Sequence, residues 1–372
     1  MGLLAIVKKE VAAYKVFGKL LYEFAFNKNL TSKVTFFQFL RCLIWGLCHE
    51  VLTDDGKTTD DVAEIALGKG NYSALSGKVA IVTGANGGLG LENARVLQTY
   101  GCHVIWAVRN PEKAKKALAE LEAKEGSRLT GKVTILKVDI SDLTTVKPFV
   151  NEFLKLNLPL HFFVMNAGIM APVKWEPSKQ GFESMFATNN LGHFLMSELL
   201  LPKIEDTAKK ADEVRIVILS SAAASMCNGM DLNKCPVPKD EYHELGDYCV
   251  TKAIDSFHAR YLQQKYKGTN IYATSVHPGI IETGLLAHNP GYGLLFYQSL
   301  TFAPFRKYIP SGAATTMYCT VSPDIPKHVK DGFFFFYNRG PQYAMGISKP
   351  GVADHLVEGC EQHQLELVKP YM

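Results

Sequence analysis

From Lys78 onward the chain alternates between two hydrophobic patterns. Short runs rich in β-branched and aromatic residues occur at 78–83 (KVAIVT), 103–108 (HVIWAV), 132–138 (KVTILKV), 160–165 (LHFFVM), 214–219 (VRIVIL), 271–276 (IYATSV) and 332–336 (GFFFF). Between them lie amphipathic stretches of helical length, such as 89–100, 112–124 and 249–267. Continuous apolar runs suit strands buried on both faces, and helical crossovers make neighbouring strands parallel. The pattern predicts an α/β fold: a Rossmann-like, doubly wound sheet of seven parallel strands with helices on both faces.

The first 75 residues follow a different pattern. Residues 1–26 mix apolar positions with Lys8, Lys9, Lys15 and Lys19 at roughly helical spacing. No basic region precedes the apolar start and lysines interrupt it, which argues against a cleavable secretory signal. The run 34–48 (VTFFQFLRCLIWGLC) is the most hydrophobic, but it is short and carries Gln38 and Arg41 near its middle. A spanning helix needs about 20 apolar residues. A helix lying in a membrane interface and one packed on the domain both stay open. Ile6 stands where a myristoylation signal wants Ser or Thr. Residues 53–77, acidic and glycine-bearing, read as a linker. The expected division is therefore 1–75, a helical extension and linker that either contacts a membrane surface or packs on the domain; 76–340, the α/β domain; and 341–372, a C-terminal tail.

Composition changes this picture little. With 47% hydrophobic and 20% charged residues, the chain can bury a large core and is not disordered. A net charge of +4 without any Lys/Arg block predicts no nucleic-acid partner. Eight cysteines (42, 48, 102, 227, 235, 249, 319 and 360) show no Cys-x-x-Cys pair or Cys/His cluster, so they read as reduced packing thiols and no metal site is expected.

The chemistry begins after the first strand, at Thr83-Gly84-Ala85-Asn86-Gly87-Gly88-Leu89-Gly90. Glycines let the backbone approach a pyrophosphate, and the N-terminal amides of the following helix stabilise its charge. After the second strand no acid is present to hold a ribose 2′-hydroxyl; Arg109 stands there instead, 21 positions after Gly88. A guanidinium at that place suits a 2′-phosphate, which favours NADP(H) over NAD. Tyr248 and Lys252 are four residues apart and share one helix face. A nearby ammonium favours phenolate and so makes tyrosine a usable acid/base. Ser220-Ser221 follows the fifth strand, at the sheet edge where ligands bind in such folds.

The spacing Gly84, Gly88, Gly90, followed in order by these elements, resembles the short-chain dehydrogenase/reductase family, with its TGxxxGxG turn. The likeness runs from about Gly77 to Tyr337 and is nearest to retinol-dehydrogenase-like members and the oxidoreductase part of the WW-domain-containing oxidoreductase. It implies cofactor contacts from Gly84, Asn86, Gly88, Leu89 and Gly90. Asp139 would meet the adenine amine, although it also reads as a helix cap. Asn166-Ala167-Gly168 matches the family's NAG element bordering the cofactor. The family's serine is the second of such a pair, which selects Ser221. Asn189, in an N-x-L-G-H-F stretch, would hold a water on the catalytic lysine, while His193 is expected to pack within its helix. Pro278-Gly279 and Thr283 match the PG motif and the threonine at the nicotinamide carboxamide.

The resemblance implies a reversible NADP(H)-dependent oxidoreductase in which Tyr248, Lys252, Ser221 and Asn189 are catalytic. It also implies a homodimer pairing through the fourth and fifth helices, or a monomer if membrane-associated. The insert 284–310, rich in Leu, Phe and Tyr with Gly/Pro hinges, predicts a lipophilic pocket for a retinoid, steroid or lipid aldehyde or ketone. Glu282 leaves the polarity of that pocket open. The expected location is membrane-associated, at the endoplasmic reticulum or a lipid droplet, or else cytoplasmic. The alternatives are a catalytically inactive NADP-binding regulator of the same fold and a nucleotide-sugar epimerase or dehydratase. The latter usually carries a GxxGxxG turn and a larger C-terminal substrate domain.

Overall fold

The structure, a computed structural model, describes residues 3–41, 44, 53–300, 302–330, 335–342 and 354–372. The apolar runs form β1 (Val79–Thr83), β2 (His103–Val108), β3 (Val133–Lys137), β4 (Phe162–Met165), β5 (Val214–Leu219) and β6 (Ile271–His277). A two-residue ladder pairs β7 (Ile280–Ile281) with β8 (Arg306–Lys307), apart from the main sheet. The last predicted strand appears as β9 (Phe335–Tyr337); residues 331–334 lie outside the described residues. The main sheet has the order β10-β9-β6-β5-β4-β1-β2-β3. Seven strands run parallel, as the pattern predicts, and β10 (Gly340–Gln342) adds an antiparallel edge through a tight return from β9.

Helices cover both faces, which is why strand residues of both parities are buried. Val79 and Ile81 of β1 face one core layer with helices α5 (Val146–Lys155), α6 (Gly192–Ala208) and α7 (Glu244–Lys265). Ala80 and Val82 face the other, formed with α3 (Gly88–Thr99), α4 (Pro111–Glu125) and α8 (Ile309–Val321). β1 sits between β2 and β4, so the chain reverses its direction of winding there. Such a switch point opens a crevice at the C-terminal ends of the strands.

The amino-terminal extension is helical and packs on the domain. α1 (Leu3–Phe26) and the chain after it bury Leu20, Phe24, Leu30, Val34 and Phe39 in the same core layer as α7. Polar clips reinforce this contact: Lys33 Nζ pairs with Asp247 at 2.8 Å, and Glu23 meets His243 at 3.3 Å. His243 caps α7, its Nδ1 accepting from the amides of Leu245 and Gly246, so the extension is attached to the start of that helix. The outer face leaves Val11, Tyr22, Phe26 and Phe37 exposed. Among the described residues no helix is long and apolar enough to cross a membrane. Cys42, Cys48 and most of 42–48 lie outside the described residues.

The segment expected as a linker holds a helix, α2 (Thr59–Leu67). Thr58 and Asp61 form a capping box at its start, Val62 and Ala63 are buried, and Asp60 pairs with Arg95 of α3 at 2.6 Å. The acidic residues there serve a helix N-terminus. In the expected tail, α9 (Asp354–Val368) packs across α6 and α7 and buries Val357, Cys360 and Val368. Cysteines 102, 227, 235, 249, 319 and 360 are buried free thiols.

Because Leu20 is 2% exposed and Phe37 is 82% exposed, the extension makes a clear stability prediction. Leu20→Ala should cost about 2–4 kcal/mol in urea unfolding of the full chain. Phe37→Ala should change it by less than about 0.5 kcal/mol. Equal, negligible effects would mean that the extension does not fold onto the domain.

Candidate active site

The site is built outward from the end of β1. Gly84 and Gly88 adopt φ of +66° and +53°, left-handed values that side chains rarely allow. Gly90 faces inward, where a Cβ would lie 2.5 Å from both Asn166 Nδ2 and the Gly84 carbonyl oxygen. The turn therefore sits directly on the end of β4. Thr83 Oγ1 accepts the amides of Asn166 and Ala167 at 2.8 and 2.9 Å, and Asn166 Nδ2 donates to the Thr83 carbonyl at 2.8 Å. With its lone pairs engaged, the Thr83 hydroxyl donates to His193 Nε2 at 2.9 Å. The His193 Nδ1 proton then goes to the Asn189 carbonyl at 3.2 Å. Burial pushes the imidazole down to about 4, so His193 is a neutral strut, in line with the expectation that it packs.

Above the strand ends lies a cleft of about 360 Å³. Gly84, Asn86, Gly88 and Leu89 line one side, Asn166, Ala167 and Gly168 the floor, and Ser221, Tyr248, Lys252, Pro278, Gly279 and Thr283 the rest. The two serines separate by strand-end geometry. Ser220 points inward, to the Lys252 carbonyl at 2.7 Å and Ser256 at 2.9 Å. Ser221 faces the cleft beside the Tyr248 phenol, whose ionised form its hydroxyl favours.

Tyr248 and Lys252 share one face of α7, with Lys252 Nζ 5.9 Å from the centre of the Tyr248 ring. Lys252 donates to the Leu219 carbonyl at 2.8 Å and pairs with Asp255 at 2.8 Å, both partners being buried. Burial holds the phenol above its ordinary range, with the Ser221 hydrogen bond opposing it. The expected lowering of the phenol by Lys252 is thus not expressed in the protein alone: burial outweighs it, and the Asp255 carboxylate paired with the ammonium adds to the rise. Sequence reasoning passes over Asp255. Its signal is an acid three residues past the lysine, on the same helical face.

Four predicted residues do not line the cleft: Gly90, packed against Asn166, and Asn189, Arg109 and Asp139. Asn189 lies beneath it in a π-type turn, Ala187–Leu191, rather than in a regular α-helix. Its side chain clamps Ile169, accepting from the amide at 2.9 Å and donating to the carbonyl at 3.0 Å. Arg109 is exposed just past β2. Asp139 uses Oδ1 to accept from Ser141 N and Oγ at 3.1 and 2.6 Å, the arrangement of a turn cap.

A second, apolar pocket of about 190 Å³ adjoins the cleft. The insert supplies Leu285, Leu286, Tyr292, Leu295, Phe296, Tyr297 and Phe302. The Tyr297 hydroxyl bonds to Thr283. Glu282 is exposed and does not line this pocket. Sequence reasoning misses the opposite wall, Phe17, Leu20 and Phe39 from the extension, since nothing local marks them as neighbours of Tyr248.

The glycine cradle at the start of α3, with hydroxyls and an ammonium across from it, fits an anionic dinucleotide. Known proteins agree. The short chain dehydrogenase family model matches residues 78–233. The chain is 38% identical over 254 residues to the chloroplastic short-chain dehydrogenase TIC 32 B of Brassica napus, covering 66% of this chain and 76% of that one. It is 34% identical over 249 residues to retinol dehydrogenase 12 of Bos taurus (67% and 74%) and 31% over 278 residues to the WW domain-containing oxidoreductase of Homo sapiens (73% and 63%). The fold is similar to that of an NADPH-bound carbonyl reductase from chicken fatty liver, with TM-score 0.52, 20% identity, and coverage of 73% of this chain and 100% of that one. It is also similar to the 3-oxoacyl-[acyl-carrier protein] reductase of Brucella melitensis in complex with NAD, with TM-score 0.54, 22% identity, and coverage of 70% and 95%.

A methyl at Gly90 must displace the backbone of the turn. Gly90→Ala is therefore expected to weaken nicotinamide dinucleotide binding by about tenfold or more, the equivalent of one lost charge-assisted hydrogen bond. Isothermal titration measures it, and unchanged affinity would mean that the turn does not hold the cofactor.

Proposed function

Because the chain belongs to the short-chain dehydrogenase family, we propose that it is an NADP(H)-dependent oxidoreductase that moves hydride between the nicotinamide and an alcohol or carbonyl carbon of a lipophilic substrate. One observation carries this reading: the polar cleft and the apolar pocket meet, and Ser221 and Tyr248 line both. A proton-exchanging pair thus stands where a dinucleotide on one side and an apolar molecule on the other would touch.

Bound NADP(H) supplies or takes the hydride, and the chain's own residues do the rest. Gly84, Asn86, Gly88 and Leu89 would border the pyrophosphate beside the α3 amides, and Gly90, packed against Asn166, would keep the turn in place for it. Arg109 would pair with the 2′-phosphate, and Asp139 would meet the adenine amine. Asn166, Ala167 and Gly168 border the cofactor, while Pro278, Gly279 and Thr283 enclose the nicotinamide end. Ser221 positions the substrate oxygen, Tyr248 exchanges the proton, Lys252 holds the ribose, and Asn189 braces the relay. Burial keeps Tyr248 protonated at neutral pH. Carbonyl reduction, which needs the phenol, should therefore persist through neutral pH and fall in alkali, whereas alcohol oxidation should rise with pH.

The apolar lining, with Glu282 pointing away, favours a retinoid, steroid or lipid aldehyde or ketone. The exposed Val11, Tyr22, Phe26 and Phe37 beside Lys8, Lys9, Lys15 and Lys19 favour peripheral membrane contact. The α9 cover on α6 and α7 favours a monomer over the expected homodimer.

NADPH and NADH oxidation against retinal, steroid ketones and fatty aldehydes tests the activity, with small sugars as the opposing class. Tyr248→Phe should lower turnover by about 10²-fold or more while keeping NADPH binding. A wild-type chain that binds NADPH but turns over nothing would favour the inactive regulator. Arg109→Ala should weaken NADPH by about tenfold and leave NADH unchanged; equal loss with both would remove the phosphate contact.

A further inference from the structure

Behind Lys252, on the side away from the cleft, lies a polar cluster that the proposed reaction does not use. Asp255 pairs through Oδ2 with Lys252 Nζ at 2.8 Å and accepts through Oδ1 from Asn190 Nδ2 at 2.8 Å. One turn further along α7, His258 Nδ1 pairs with Glu361 of α9 at 2.9 Å. Asn190, Asp255, His258 and Gln364 line a cavity of about 10 Å³ between them, about the space one water molecule needs. Three side-chain atoms on its walls, Asn190 Oδ1, His258 Nε2 and Gln364 Nε2, make no hydrogen bond among the described residues. Their residues are 3%, 5% and 2% exposed. Unpaired polar atoms at such depth are costly, and a buried water typically satisfies two to four of them. The set is chemically complementary to one: an amide oxygen accepts, an amide nitrogen donates, and an imidazole nitrogen does either.

We propose that this cavity binds a single water molecule and that Asp255 is a positioning residue, holding Lys252 in the wall of the cleft, partly cancelling its charge, and coupled through that water to the His258–Glu361 pair. The water site stands on geometry alone; the kinetic consequence rests on the hydride-transfer reading. The Asp255 carboxylate disfavours the Tyr248 phenolate, and burial pushes Asp255 itself up to about 6, with Lys252 and Asn190 opposing. The charged and titratable groups around it are Lys252, Tyr248 and His258 on α7, His193 and Glu198 on α6, and Glu361 on α9. Above its titration Asp255 is an anion that raises Tyr248, so removing the charge lowers Tyr248. The alkaline fall of carbonyl reduction and the rise of alcohol oxidation should both move to lower pH.

Three measurements on the full chain test this. A high-resolution crystal structure should show an ordered water within hydrogen-bond distance of Asn190 Oδ1, His258 Nε2 and Gln364 Nε2; an empty cavity overturns the water site. The pH profiles in Asp255→Asn should move down by about one unit or more, and in Gln364→Leu, which takes away one of the water's hydrogen-bond partners, by less in the same direction. Unshifted profiles in active variants overturn the coupling. The NMR titration of His258, which needs no turnover, should move to lower pH in Asp255→Asn, because the Asp255 charge raises it; no movement also overturns the coupling. If Asp255→Asn does not fold, Gln364→Leu carries the same tests. A wild-type chain without turnover refutes the hydride-transfer reading, while the density and the His258 titration still decide the cluster.

Discussion

The hydroxyl of Thr83 joins the two halves of the sheet at the point where their winding reverses. It accepts two amides from the end of β4 and donates to His193 on α6, so one side chain connects a strand end, a loop start and a helix of the layer it faces. Everything in the cleft is referred to this tie. The glycine turn starts at the next residue, Asn166 and Ala167 are held beneath it, and His193 passes the constraint to the carbonyl of Asn189, whose side chain in turn clamps Ile169. The Thr83–His193 and His193–Asn189 bonds are buried and the others part-buried, so removing one partner would orphan others rather than merely lose a bond.

Around that centre, α7 is the element on which electrostatics and packing converge. It is buried along most of its length because α9 lies on one side of it and the amino-terminal extension covers its start. Taking Tyr248, Lys252 and Asp255 out of water raises the importance of every charge among them. A phenol held up by burial and an ammonium already paired with a carboxylate describe a site balanced by its surroundings rather than by the Tyr-x-x-x-Lys spacing alone.

The extension has a comparable double role. Leu20 is buried in the core layer of α7 and also lines the apolar pocket, so the same packing that attaches α1 completes the wall opposite the insert. Stability and pocket shape are therefore coupled in residues far from the central sheet in sequence.

The sequence by itself determines the parallel strands and the glycine turn. An apolar run between turn residues has few alternatives once helices flank it, and the left-handed φ at Gly84 and Gly88 is a local demand. It also determines that Tyr248 and Lys252 share a helix face, because four-residue spacing is a property of one helix. The tertiary structure alone decides what those groups experience. Both serines border the cleft, but the Ser220 hydroxyl is taken by the Lys252 carbonyl and Ser256, which leaves Ser221 as the one beside Tyr248, because of where β5 ends against α7. The nine-residue helix α2 exists because Val62 and Ala63 find α8 to pack on, where a short acidic helix alone would be marginal. Arg109 and Asp139, readable as motif positions, stay at the rim or cap a turn, and the wall of Phe17, Leu20 and Phe39 carries no local mark at all. The reason is physical: a chain pattern encodes which face of an element is apolar, whereas the partners of that face, and the charge left on Lys252 beside Asp255, are set only when distant segments close one core.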